Sequence, residues 1–239
     1  MKRFSSMFGT LLVALSMAGC AATDPSGQND PYEKTNRSIF ALDQGFDHAI
    51  ARPAAVFYNE AVPQGARNGI HNVLTNLDSP VVFANDLLQG EPARAGTTLG
   101  RALINSTLGL GGLFDFAGKE GLPGHDEDFG QTLGVWGVGE GPYLVLPFAG
   151  PSNPRDLVGV AGDYAMDPFT YMKWNNSTLY MGLRQGFEVI DLRARNVDSL
   201  DQIERTSVDL YATTRSLYRQ HRNAEIRNGA PDTQNLPNL

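Results

Sequence analysis

Cysteine is all but absent from this chain: Cys20 is the only one in 239 residues. A lone thiol excludes an internal disulfide framework, a C-x-x-C redox pair and a thiolate zinc site, so stability has to come from packing. Histidine is sparse as well. His48, His71, His125 and His221 stand far apart, and the chain contains no H-E-x-x-H, G-x-S-x-G or Walker loop. Basic charge is in short supply, with 19 Lys and Arg against 26 Asp and Glu; setting aside Lys2 and Arg3 leaves 17 against 26, a net of −9. That balance argues against nucleic acid and against simple attraction to anionic lipid. Beyond the N-terminus, no segment approaches the roughly 20 consecutive apolar residues of a spanning helix, so any further membrane contact has to be interfacial.

What is present begins at the N-terminus. Lys2 and Arg3 form a positive start, Met7 to Ala18 is a short apolar core, and Ser16-Met17-Ala18-Gly19 supplies small residues before Cys20. Charge, short apolar core and small-residue cleavage site in that order make a secretory signal. A thiol directly behind it resembles a bacterial lipobox, with Met17 where leucine is commoner. The alternative is an ordinary signal peptide with a chance cysteine. In a lipobox protein the thiol is lipidated and becomes the first mature residue, and Ala21 in the next position points to the outer rather than the inner membrane. Residues 1–19 are thus expected as signal, 20–29 as a small, polar tether.

The body reads as helices cut by prolines and glycines. Asp30-Pro31-x-Glu33 predicts a capped helix start, and Ile39, Asp43, Phe46 and Ile50 recur on one face up to a stop near Arg52-Pro53. Ile70, Val73, Leu74 and Leu77 predict a second apolar face. Val81, Val82, Ala84, Leu87 and Leu88 predict a third, closed by Gly90, and Leu99, Ala102, Leu103 and Thr107 a fourth. From Gly109 to Gly150 glycine is dense. Gly109-Leu-Gly-Gly-Leu lacks a phosphate-loop lysine and reads as a turn, and Gly137 to Pro147 as loop followed by a short extended piece. Helix resumes at Pro154. Leu179, Leu183, Phe187 and Ile190 form one arm of an expected antiparallel hairpin turning near Asn196. Leu200, Ile203, Ser207, Leu210, Thr214 and Leu217 form the other, capped by Ser199-x-x-Gln202. Residues 30–223 are expected as one helical domain and 224–239 as a disordered tail.

Few residues carry a chemical signal. His125-Asp126-Glu127-Asp128 could suit a divalent cation, but adjacent residues rarely converge on one ion, and a solvated acidic loop is the preferred reading. Those same residues would serve a lipid or cell-wall hydrolase, which is one competing function. A structural lipoprotein bridging porins or the cell wall is another. Trp136, Tyr143 and Trp174 fit either a headgroup interface or a core. No residue is singled out as catalytic, no metal site is assigned and no cofactor is implied.

Several strings together resemble the MlaA/VacJ lipoproteins of Gram-negative outer membranes. They are D-P-Y-E-K-T-N-R (30–37), R-P-A-A-V-F-Y (52–58), V-P-Q-G-A-R-N-G (62–69), N-D-L-L-Q-G (85–90), L-I-N-S-T-L-G-L-G-G-L-F-D-F-A (103–117), F-G-Q-T-L-G-V-W-G-V-G-E-G-P-Y-L-V-L-P-F-A-G-P (129–151) and P-R-D (154–156). The resemblance implies an all-α, ring-like domain of short amphipathic helices in the inner leaflet of the outer membrane. Such a ring surrounds a channel and associates with a trimeric porin. It implies retrograde transport: phospholipid strayed into the outer leaflet passes to a soluble periplasmic carrier, and the lipoprotein itself is not an enzyme. On that reading the segment Gly134 to Gly141 is a candidate channel border, with Trp136, Gly137, Gly139, Pro142 and Tyr143. Arg155 and Asp156 are candidates to hold a headgroup, or else are a helix-start decoration.

Cys20→Ser is expected to yield unprocessed or mislocalised protein, because several acyl chains are needed for a stable anchor. Mass spectrometry of functional outer-membrane protein checks this, and an unmodified Cys20 there contradicts it.

Overall fold

A computed structural model describes residues 29–172 and 176–230; Cys20, Trp174 and the stretch 231–239 lie outside them. Helix α1 (Glu33–Phe46) does not stop at Arg52-Pro53. It continues through a π-helical segment, Asp47–Ala51, directly into α2 (Arg52–Ala61). Proline cannot donate to the preceding turn, and the widened π turn absorbs that loss while Pro53 sits in the first turn of α2. Arg193 clamps the segment through Asp47 at 2.7 Å, and Arg52 reaches Asp201 at 2.6 Å.

The second and third apolar faces belong to one helix, α3 (Gln64–Leu88), which carries Pro80 within it. The Ser79 hydroxyl donates to the Thr75 carbonyl at 3.3 Å beside the missing donor. Gly90 follows in the left-handed region, φ +80°, as the C-terminal signal predicts. Helix α4 (Pro92–Thr107) folds back along α3. The segment after it is a turn that holds Leu110, Gly111 and Gly112 all at positive φ.

A short helix α5 (Phe116–Lys119) precedes α6 (Phe129–Val135), which Asp128 caps by accepting from the Gln131 amide at 2.8 Å. The extended piece is a two-stranded antiparallel hairpin, β1 (Leu144–Leu146) with β2 (Gly150–Ser152), Leu144 opposite Ser152. Helix α7 (Pro154–Met166) is capped by Asn153, and a 3-10 turn, Pro168–Thr170, leads on to α8 (Ser177–Arg195). The expected hairpin turns at Asn196, but its second arm is two helices, α9 (Val197–Thr206) and α10 (Leu210–Ile226). Ser207 is extended, and the break is fixed by Asp209, which accepts from the Ala212 amide at 3.1 Å. Ser199 lies inside α9 and caps nothing. Helix α10 also continues past 223, and Ile226 packs on Gly134.

Packing runs opposite to the usual rule. Among the described residues fifteen polar or charged residues are buried, against ten apolar ones. Asn85, Asp86 and Thr132 are fully enclosed, whereas Phe57, Leu103 and Leu110 are 70%, 59% and 70% exposed. The apolar stripes read from the sequence at Leu99–Leu103 and Leu179–Leu183–Phe187 are exposed rather than packed into a core. No helix among the described residues is long and apolar enough to cross a membrane. Among the described residues two small apolar clusters form: Phe40, Tyr143, Val145 and Tyr211 around β1, and Ala55, Tyr58 and Ala194 where α2 meets α8.

Helices α6 and α7 touch through glycine. A Cβ on Gly159 would lie 2.5 Å from the Gly130 amide nitrogen, a backbone atom that cannot step aside. Gly159→Ala therefore costs about 1–3 kcal/mol of overpacking, more than the roughly 1 kcal/mol alanine returns in helix propensity. Gly139→Ala, with open space around it, changes stability little. Denaturant melts of the two variants check both statements.

Candidate functional site

Helices α3, α4 and α8 and the loop 122–128 border a half-open cavity of about 620 Å³. Its wall is polar: Asn72, Asn76 and Asp78 from α3, Arg101 from α4, and Glu188 and Asp191 from α8 are among its residues. Arg101 pairs with Asp115 at 3.1 Å, and Asp191 is held by His71 at 2.9 Å and Arg195 at 2.8 Å. Arg184 gathers three carboxylates, Asp78, Asp167 at 2.8 Å and Glu188 at 2.9 Å. Burial, opposed by Arg184 and aided by Glu188, pushes the Asp78 carboxyl up to about 6.

Against this polar chamber lies an apolar cleft of about 360 Å³ between α3 and α8, lined by Ile70, Val73, Leu77, Leu183 and Phe187. Leu74 borders both spaces. Helix α3 achieves this because its sequence interleaves two stripes. The apolar stripe was legible from spacing, and the polar one (Asn72, Asn76, Ser79) recurs at three and four residues on the adjoining face.

The loop 122–128 is neither solvated throughout nor convergent on an ion. Glu127 is buried, taking hydrogen bonds from Gln89 at 2.7 Å and from Arg94. His125 Nε2 sits 2.9 Å from Asp86, which also accepts from the Thr98 hydroxyl at 2.6 Å. Asp128 turns away to cap α6 and bind Arg222, and only Asp126 and His125 reach the cavity. No group of three or more His, Cys, Asp or Glu among the described residues is placed to hold a metal. One imidazole nitrogen, Nε2, meets both Asp86 and Thr98.

The glycine-rich candidates lie elsewhere. None of Gly134, Trp136, Gly137, Gly139, Gly141, Pro142, Tyr143, Arg155 or Asp156 borders the 620 Å³ cavity. Trp136 is half-exposed, and its indole N–H donates to the Leu88 carbonyl at 2.9 Å. Gly141 needs its positive φ of +72° and packs on Pro154, so proline there would disrupt folding itself. Tyr143 is a core residue, 2% exposed. Asn36 fixes this stretch by donating to the Tyr143 carbonyl and accepting from the Val145 amide. Asp30, expected to cap α1, is instead a buried acceptor for Asn36, the Tyr211 hydroxyl and Arg215.

Arg155 is 6% exposed, and its guanidinium binds Asp156 at 3.0 Å. Asp156 also accepts from Asn153, from Tyr218 at 2.6 Å and from Arg222 at 2.8 Å, and Arg222 carries on to Asp128. This is a buried lattice joining α6, α7 and α10, not the surface decoration one of the two sequence readings expected.

A mostly helical domain, apolar outside and polar within, hollowed by a charged chamber beside an apolar cleft, defines a class of amphipathic-cavity proteins. The chain belongs to the MlaA lipoprotein family, whose model matches residues 28–225. It is 36% identical to the intermembrane phospholipid transport system lipoprotein MlaA of Escherichia coli (strain K12), over 96% of this chain and 90% of that one. The corresponding Haemophilus influenzae protein is 35% identical over 92% and 89%. An uncharacterized protein of Rickettsia felis is 37% identical over 83% and 78%. A solved structure from work on the structural basis for maintenance of bacterial outer membrane lipid asymmetry superposes with a TM-score of 0.74 at 35% identity. It covers 82% of this chain and 98% of that one.

Asp156→Ala is expected to cost about 3–5 kcal/mol at neutral pH, because it strands the buried Arg155 guanidinium and takes from Arg222 one of its three carboxylate partners. Burial alone would raise the Asp156 carboxyl, but hydrogen bonds from Arg222 and Tyr218 and the Arg222 charge hold it below the usual range. Its contribution is therefore present above about pH 4 and is lost as pH falls through the lowered value. Urea melts across pH 7 to 3 check that the gap between wild type and Asp156→Ala narrows on acidification.

Proposed function

We propose that this chain is the outer-membrane lipoprotein of a retrograde phospholipid transport system. On this reading it is anchored through Cys20 in the inner leaflet and seated against a trimeric porin. It takes phospholipid misplaced in the outer leaflet and passes it to a soluble periplasmic carrier, with no covalent step of its own. The relatives named for phospholipid transport and the solved neighbour concerned with lipid asymmetry support it.

The observation that carries the reading is the meeting of polar chamber and apolar cleft at Leu74. A phospholipid has a charged end that cannot cross an apolar wall without a large desolvation cost, and tails with no affinity for a polar one. A chamber for the head beside a cleft for a tail removes both barriers at once. The outward-facing leucines and phenylalanines supply the surface that a lipid leaflet accepts. No nucleotide-binding motif occurs in the chain, so energy for net movement is drawn from the carrier or from components beyond it. A purely structural lipoprotein has no use for a chamber and cleft that share a wall.

Leu74→Lys puts a charge at the meeting point. Expected in cells whose only copy carries it are normal protein level and porin association, with most transport lost and outer-leaflet phospholipid accumulating as in cells lacking the protein. Wild-type lipid asymmetry in that strain contradicts the reading, and favours the scaffold if the purified wild-type protein also carries no phospholipid.

A further inference from the structure

The C-terminal ends of α3 and α6 meet in a blunt apolar edge, apart from the chamber and the cleft. Leu87, Leu88, Val135, Trp136 and Val138 are between 40% and 53% exposed there. The Trp136 indole joins the two ends: its N–H donates to the Leu88 carbonyl at 2.9 Å, and its ring stands edge-on to Phe129 at 5.9 Å. Trp136 is thus held in place at the surface with its one polar atom already satisfied.

The backbone at this edge is closed as well. The last four carbonyls of an α-helix have no partner within it, and at a wet terminus water can take them. In α3 all four have donors from the protein. The Gln89 amide reaches the Asn85 carbonyl at 2.9 Å, Glu91 reaches Asp86 at 2.9 Å, Gly90 reaches Leu87 at 3.1 Å, and the indole takes Leu88. Helix α6 ends similarly, with Gly137 at φ +86° letting the Val138 amide reach the Leu133 carbonyl at 2.9 Å. Such closure is optional in water and obligatory against hydrocarbon. It also leaves no unmet acceptor on the last turn of α3 for a protein partner, whose interfaces carry about one hydrogen bond per 100–200 Å².

The edge stands beside the point where the N-terminal segment joins the domain. The Asn29 carbonyl accepts from the Tyr143 amide at 2.8 Å, and its side-chain amide donates to the Gly141 carbonyl at 2.6 Å. Gly141 is three residues from Val138, and Asn29 is nine from Cys20. Nine residues span at most about 30 Å, so a leaflet holding Cys20 lies within that reach of the edge.

Resting on the lipoprotein reading above, we infer that this edge is seated at the boundary of headgroups and acyl chains in the leaflet that holds Cys20, with the Trp136 indole as its anchor. An indole is apolar over its ring and carries a single polar atom, which places tryptophan at that boundary rather than in the hydrocarbon centre. The two leucines and two valines beside it supply apolar area for insertion, which needs no attraction of charge.

The test uses the full-length lipidated protein with Trp174→Phe, in which Trp136 is the only tryptophan. It is bound to phosphatidylcholine vesicles whose acyl chains are brominated either near the ester or near the terminal methyl. Expected are a blue shift of emission on vesicle binding, loss of most emission to bromine near the ester but of little to bromine near the methyl, and protection from acrylamide. Leu87→Glu, at an exposed position, should return the emission towards the red and open Trp136 to acrylamide while the melting profile stays near wild type. Wild type compared with Trp136→Phe isolates the same signal should Trp174→Phe unfold. Protein that floats with the vesicles while Trp136 is quenched by acrylamide and not by bromine overturns the edge and leaves the transport reading intact. Stronger quenching from the terminal methyl, or protection that arises only when a trimeric porin is added, does the same. Protein that does not float with the vesicles overturns both the edge and the anchored lipoprotein.

Discussion

Pairing of buried charge is the interaction on which the rest of this structure depends. With so much of its polar surface turned inward, the domain cannot be held by apolar burial alone, and two guanidinium centres take over. Arg215 ties the C-terminal helix to Asp30 at the very start of the domain. Arg222 ties the same helix to Asp128 and Asp156 at the starts of α6 and α7. Helix α10 thus closes the chain on itself, with Asp30 and Arg215 separated by 185 residues. Such pairs add little net stability over an apolar core of equal volume, but breaking one leaves a stranded charge, so they enforce one arrangement.

The outward apolar surface is the counterpart of that interior. In water, exposed leucine and phenylalanine of this extent invite association. In a lipid leaflet the same surface is satisfied, and the polar interior becomes the unusual feature that a headgroup needs. Helix α3 joins the two by carrying an apolar stripe into the cleft and a polar stripe into the chamber, with Leu74 at the seam. Pro80 lies within the helix without ending it, and that continuity lets a single element form a wall common to both spaces.

Much of this was legible from residues. The helical class, the turn at Gly109–Gly112, the left-handed Gly90 and the extended piece after Tyr143 follow from local chemistry that packing does not override. The stop near Arg52-Pro53 and the division of Ile70–Leu77 from Val81–Leu88 did not hold, because a π turn and a long helix packed on its neighbours tolerate Pro53 and Pro80 where an isolated helix breaks. Which way the apolar stripes face was not legible at all: periodicity gives a stripe, and its direction depends on the solvent outside it. Arg155 and Asp156 read as a helix start, and their burial comes from Arg222 and Tyr218, distant in sequence and visible only in three dimensions. The polar stripe of α3, which builds the chamber, could have been found by asking what faces away from Leu74 and Leu77.

The account stands on the inversion of apolar outside and polar inside, and site-directed spin labelling in lipid bilayers tests it directly. Labels at Phe57, Leu103 and Leu110 should collide freely with dissolved oxygen and hardly at all with a water-soluble nickel chelate. Labels at Asn72 and Thr75 on the chamber wall should show the reverse. Chelate-accessible labels at the three apolar positions, with oxygen-rich ones at Asn72 and Thr75, would contradict it.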